Sequence, residues 1–325
     1  MNPLSWAASK VSIAPNAKNH PKVQRSLRSI LVEKVLWIST SKKTFQQDSE
    51  DSFNKLLDSM RTENGKPLPN PQKYVGMAVT ETHQSGMQVF TWNDRKDDRQ
   101  RVILYIHGGA YLHQPSPFHY KMLARIARSL DAKVIFPIYP KLPDNGYAQD
   151  FPLMDSLYRA VIEGVSSPEQ ITLMGDSAGG GFALGFAMHL RDKDLPQPKN
   201  IILLSPWLDV ATTNPEIPRY EGVDPMLSAW GLNKLGRLWA GSKEAMTLPY
   251  VSPLHGDLNG LGKISIFVGT HEIFYPDNQL FHEKLEAAGI EHNYTVAPAM
   301  NHVYVAMPIP EAKEAQDHIV EIIRR

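Results

Sequence analysis

The segment Gly175-Asp176-Ser177-Ala178-Gly179-Gly180 tightly constrains the fold around it. It follows the apolar run Ile171-Thr172-Leu173-Met174 and opens the helix-compatible run Phe182–Leu190. A serine on so sharp a strand-to-helix turn is held in strained backbone, with its hydroxyl pushed out above the sheet. The turn brings strand and helix so close that the residues two before and two after the serine must be small. Gly175 and Gly179 hold those positions. A helix N-terminus behind the hydroxyl also favours negative charge forming there. Ser177 is therefore a candidate nucleophile; taken alone, the segment also reads as a flexible glycine loop.

The surrounding pattern favours the first reading. Residues 22 to 61 look helical, and the stretch Asn64-Gly65-Lys66-Pro67-Leu68-Pro69-Asn70-Pro71 reads as a linker, because its prolines cannot sustain a helix. Strands are expected at Tyr74–Thr80 and Met87–Trp92, then at Arg101–Ile106, which is apolar almost throughout, like a strand covered on both faces. Strands Ala132–Ile138, Ile171–Met174, Asn200–Leu204, Ile264–Val268 and Asn293–Val296 then alternate with helices Tyr120–Leu130, Ala148–Glu163, Ser177–Leu190, Asp277–Ala288 and Glu311–Ile323. Such alternation predicts an α/β fold with a mainly parallel, doubly wound sheet and helices on both faces. Between Leu204 and Ile264 the helical pattern Leu227–Trp239 suits an inserted lid.

Composition narrows the class. Lysine plus arginine and aspartate plus glutamate balance at 34 each, so nothing points to nucleic acid or an anionic membrane as partner. Cysteine is absent, which excludes disulfides and thiolate metal sites. Met1 to His20 lacks an apolar core of signal-peptide length, and Ile30–Ile38 is short and carries two charges, as an amphipathic helix would. The expectation is a cytoplasmic protein with no stable membrane insertion.

Ligands of open parallel sheets bind beyond the carboxyl ends of the strands. A second glycine motif, His107-Gly108-Gly109-Ala110, stands at such an end. Amides of Gly108, Gly109 and Ala110, with that of Ala178 beside the nucleophile, are candidate oxyanion donors. The bland alternative is a tight strand-exit turn with a buried histidine. A nucleophilic serine needs a base, and the base an orienting acid. Of the 12 histidines, His302 alone falls in a loop between the last strand and the last helix, Pro298 to Val303. Two carboxylates follow strand Ile264–Val268: Glu272 lies nearer the strand end, whereas Asp277 follows a proline and suits a helix cap. Asp209 is a third, weaker choice. The expected triad is Ser177, Glu272 and His302.

With His-Gly-Gly ahead of it, this order is that of the α/β-hydrolases, and the chain resembles the hormone-sensitive-lipase-like branch of bacterial acetyl esterases and carboxylesterases. The resemblance rests on His107–Ala110, Gly175–Gly180, Ser205-Pro206-Trp207-Leu208-Asp209, Ser252-Pro253-Leu254 and Leu285–Ile290, and runs from about Val102 to His302. It implies an eight-stranded, mostly parallel sheet under a helical cap. The cap would come from residues 1–70 and from an insertion at about 212–246 in a catalytic domain of residues 71–325. It implies hydrolysis of small short-chain carboxylic esters, no cofactor and no metal, and leaves open whether the chain works as a homodimer. Two residues depart from the family. Ala110 stands where a third glycine is usual, and Glu272-Ile273-Phe274 stands where Asp-Pro-Leu is usual, so a longer acid must be accommodated. A ligand-binding protein on the same fold, or an amidase or peptidase on the same triad, are the alternative functions. Trp230, Trp239, Phe274 and Tyr275 are candidates to line a pocket or to pack in the core.

Overall fold

The computed structural model describes residues 25–39, 42, 45, 46 and 49–325. Strands β1 (Val79–Gln84), β2 (Met87–Trp92), β3 (Val102–Ile106), β4 (Lys133–Ile138), β5 (Ile171–Asp176), β6 (Asn200–Leu204), β7 (Lys263–His271) and β8 (His292–Asn301) form one sheet. Its order is β1-β2-β4-β3-β5-β6-β7-β8. The pairs β1/β2 and β2/β4 are antiparallel and all others parallel. The central strands β3, β5 and β6 are buried along their whole length, which is why they read as unbroken apolar runs.

Each face of the sheet carries its own buried cluster. On one side lie helices α4 (Pro117–Leu130) and α9 (Pro310–Arg324), through Leu123, Ile126, Ile319 and Ile323. On the other lie α5 (Tyr147–Glu163), α6 (Ser177–Asp192) and α8 (Tyr275–Ala287), through Phe151, Phe182, Phe186 and Phe281. Burying each of these phenylalanines contributes roughly 1.5–3 kcal/mol relative to exposure.

The helical stretch expected from 22 to 61 contains α1 (Leu27–Ile38) and α2 (Glu50–Asn64); residues 22–24, and several between the two helices, lie outside the described residues. Helix α7 (Ala229–Ala240) occupies the insertion before β7. Phe53 of α2 meets Trp230 of α7 edge-on, ring centroids 5.9 Å apart. No described helix is long and apolar enough to cross a membrane.

Two expectations need correction. The strand expected at Tyr74–Thr80 begins as helix and turn: α3 (Gln72–Val75) ends at Gly76, whose φ of +67° stops it, and β1 starts only at Val79. The loop expected from Pro298 is strand as far as Asn301. As β8 is a sheet edge, a proline there interrupts no inner ladder.

Candidate active site

The turn from β5 into α6 has the strain that its sequence requires. Ser177 has φ +53°, a left-handed value that side-chain-bearing residues rarely adopt. A Cβ on Gly175 would sit 2.3 Å from the carbonyl oxygen of Gly179, and one on Gly179 would sit 2.1 Å from that of Ile106. Both glycines are therefore obligatory. Ser177 ends up at the carboxyl edge of the sheet, 7% exposed.

Its hydroxyl Oγ lies 2.9 Å from Nε2 of His302. On the other side of that ring, Nδ1 lies 2.7 Å from Oε2 of Glu272. The sequence-selected serine, histidine and glutamate thus meet in one hydrogen-bonded line. The glutamate is fully buried, and its second oxygen accepts from the Gly269 N–H at 2.8 Å and from Ser205 Oγ at 2.7 Å. Burial alone would lower the proton affinity of His302, but the charges of Glu272, Asp224 and Asp176 outweigh it and raise the pKa above the ordinary histidine value. Phe274 packs edge-on against this imidazole, centroids 5.2 Å apart.

The other acids do other things. Asp277 does not cap α8, as its position after a proline had suggested. One oxygen accepts from Asn214 Nδ2 at 2.9 Å, and burial pushes its pKa up to about 7. Asp209 accepts from the amides of Ala211 and Thr213 and from the Thr213 hydroxyl, closing its own turn.

The candidate oxyanion donors divide into two groups. The Gly108 N–H already donates to Asp176 Oδ1 at 2.8 Å, so it is not a free donor. For the amides of Gly109, Ala110 and Ala178 there is no partner among the hydrogen bonds of the described residues. Gly109 has φ +117°, and the loop bends on through Ala110 at +54° and Tyr111 at +59°. His107 is fully buried and stacks on Tyr139 at 4.7 Å.

These features together belong to one kind of scaffold. A family model of the alpha/beta hydrolase fold matches residues 103–306. The chain belongs to the α/β-hydrolase fold family. Within it, the chain groups with the carboxylic ester hydrolases. An esterase of Acinetobacter venetianus is 30% identical over 229 residues, covering 68% of this chain and 74% of that protein. An acetyl-hydrolase of Streptomyces hygroscopicus is 28% identical over 204 residues, covering 63% of this chain and 68% of that one. The crystal structure of an esterase from the bacterial hormone-sensitive lipase family superposes with a TM-score of 0.71 at 25% identity, covering 86% of this chain and 99% of that one.

On this α/β-hydrolase scaffold, three supports escaped the sequence reading. Asp176 lies within the serine motif, and its buried carboxylate accepts from Tyr105 OH, from Gly108 N–H and from His119 Nε2, fixing the glycine loop against the Ser177 turn. Burial would raise its pKa; His119, Tyr105 and Gly108 outweigh that and hold it low. Ser205 donates to Glu272 and accepts from the Val303 N–H at 3.0 Å, joining the loops of Glu272 and His302. Asp224, from the insertion, accepts from the Ile273 N–H at 2.9 Å, right after Glu272. Ser205 opens a motif already visible in the sequence, whereas Asp224 carries no local signal.

Of the aromatic candidates, Trp239 is buried face to face on Tyr111, centroids 3.8 Å apart. Trp230 lies on the outside of the insertion, 39% exposed. Tyr275 rests against Tyr220.

Proposed function

We propose that this protein is a serine esterase that hydrolyses short-chain, acetyl-type carboxylic esters through Ser177, His302 and Glu272. The observation that carries this reading is the unbroken line of hydrogen bonds from the Ser177 hydroxyl through both imidazole nitrogens to the Glu272 carboxylate. His302 Nε2 takes the hydroxyl proton as Oγ attacks the ester carbonyl, while Glu272 holds the other nitrogen in its N–H tautomer and stabilises the imidazolium. The oxygen that becomes negative is received by the N–H groups of Gly109, Ala110 and Ala178, each such donor contributing roughly 3 kcal/mol. His302 then returns its proton to the leaving alcohol, and water removes the acyl group from Ser177 by the same route.

Several observations support short acyl chains. Ser177 is nearly enclosed, and Ala110 adds a methyl group to the loop where the family usually has glycine. The Streptomyces relative is an acetyl-hydrolase. The insertion at 212–246 and the N-terminal helices act as a cap. This is supported by the Lys42 ammonium, which donates to the Asp224 carbonyl at 2.8 Å, while the Asp224 carboxylate reaches the acid loop.

Hydrolysis of p-nitrophenyl acetate and of the decanoate by the wild-type chain and Ser177→Ala tests both parts. The variant should lose at least a thousandfold in kcat, and the wild type should prefer acetate by tenfold or more in kcat/KM. Equal turnover by wild type and variant would remove Ser177 from its role. Equal use of both esters would remove the chain-length claim.

A further inference from the structure

Away from the triad, three side chains able to bind a metal converge where α8 meets the start of β8. His282 and Glu286 are four residues apart on α8, which puts them on one face, and His292 is the first residue of β8. One ligand atom from each lies within 4.8 Å of the other two. The two imidazoles already touch, with His282 Nδ1 and His292 Nε2 2.7 Å apart. Neither ring is loosely held. His292 directs Nδ1 at the Ile290 carbonyl, 2.8 Å away, and His282 lies nearly parallel to Tyr294, centroids 4.3 Å apart.

The bond to Ile290 fixes the tautomer. Nδ1 of His292 carries the proton and donates it to the carbonyl, so Nε2 presents a lone pair. Metal-binding histidines nearly always make this second bond from their other nitrogen. In the pair as it stands, one proton on His282 Nδ1 bridges to that lone pair. A cation in place of the proton would be met by two imidazole nitrogens and the Glu286 carboxylate. We propose that His282, Glu286 and His292 bind one divalent first-row transition ion, of which Zn2+ is the representative.

Two nitrogens and one oxygen form a borderline-hard donor set that suits Zn2+, with a fourth position for water. Tetrahedral bonds of about 2.0–2.1 Å hold two ligand nitrogens about 3.3 Å apart, so the rings must part by roughly half an ångström. Small side-chain rotations of half-buried residues supply that. Helix α8 starts at Tyr275, just after Glu272, and β8 ends at Asn301, next to His302. The ion therefore ties together the two elements that adjoin Glu272 and His302. It is a clamp and touches no reacting atom.

Equilibrium dialysis of untagged, EDTA-stripped protein against Zn2+ tests the site, with His282→Gln and His292→Gln as comparators. The wild type should take up one ion per chain, and each variant should bind at least tenfold more weakly. At a hundredfold excess over Kd, Zn2+ should raise the wild-type thermal midpoint by about 3–6 °C and leave the variants unmoved. Circular dichroism and the metal-free midpoint establish that the variants are folded. No uptake by the wild type, or equal uptake by folded variants, overturns the proposal and leaves a hydrogen-bonded histidine pair. None of these readouts depends on esterase activity.

Discussion

Glu272 reaches His302 with one methylene more than the aspartate that is usual at its position. Two anchors on its far oxygen, the Gly269 amide and the Ser205 hydroxyl, hold the longer side chain in place. Glu272→Gln should leave the fold intact and lower kcat about ten-thousandfold, because an amide can favour the wrong imidazole tautomer. The pH profile gives a second readout. The proposed mechanism needs His302 neutral, and burial is outweighed by Glu272, Asp224 and Asp176, so its pKa is raised. The acid limb of kcat/KM should therefore have its midpoint above the ordinary histidine value of about 6.5. Glu272→Gln removes the strongest raising influence, and the residual activity should keep its limb at lower pH. An unmoved midpoint, followed with p-nitrophenyl acetate between pH 5 and 9, would detach the acid from the base. Ser177, Glu272 and His302, which the structure brings into one hydrogen-bonded line, could be picked out from the sequence because each follows a strand end that composition and alternation had marked. Gly108 was misjudged there. Its amide is claimed by Asp176, a partner 68 residues away, and spacing reveals nothing of that.

Elements follow local rules until an edge or a close approach intervenes. The turn between β5 and α6 is fixed by contact: an added methyl at Gly179 has no room against the Ile106 and His107 carbonyls. Gly179→Ala should destabilise the fold by at least about 2 kcal/mol, measured by urea denaturation, and reduce activity with it. A neutral effect would mean that strand and helix can separate more easily than their packing implies. Buried elements such as β6 and α6 were nearly exact in the sequence, since continuous apolar runs flanked by turn residues have one reading. Tyr74 and Val75 misled because β-favouring residues can also pack as a single helical turn against α4. Tyr74 stacks there on Tyr120. Pro298 to Asn301 misled in the other direction, since strand at a sheet edge tolerates the Pro298 that marks a loop elsewhere.

Away from the triad, Asp150 and Lys141 form a buried titratable pair. Both carboxylate oxygens of Asp150 lack a hydrogen-bond partner among the described residues, and burial pushes its pKa up to about 8, against a partial pull from Lys141. Burial likewise lowers Lys141 to about 7. From about pH 4, where the unfolded aspartate ionises, to about 8, the folded chain keeps a proton that the unfolded chain has lost. Stability from this group must then fall as pH rises, by about 1.4 kcal/mol per pH unit. Lys141 acts in the opposite sense, and only above about pH 7. Between pH 5 and 6.5, urea unfolding of Asp150→Asn should therefore show a shallower decline than the wild type. Parallel slopes would mean that Asp150 is ionised in the fold. At this scale the sheet class was readable from strand and helix alternation, whereas the placement of α1, and of the insertion that supplies Asp224, depends on contacts between distant segments.

The parallel order of the sheet also bears on time. Ser177 and His302 are separated by 125 residues, and Ser205 reaches Val303 across 98. Loops of that length must close before any reward from pairing arrives, so such sheets form late and slowly. Helices and single strand pairs can exist before those loops close, and the hydrogen-bonded line of Ser177, His302 and Glu272 comes into being only when β8 docks. Recovered activity is then a more stringent report of complete folding than recovered helix, and a half-folded molecule exposes no working nucleophile to the esters around it.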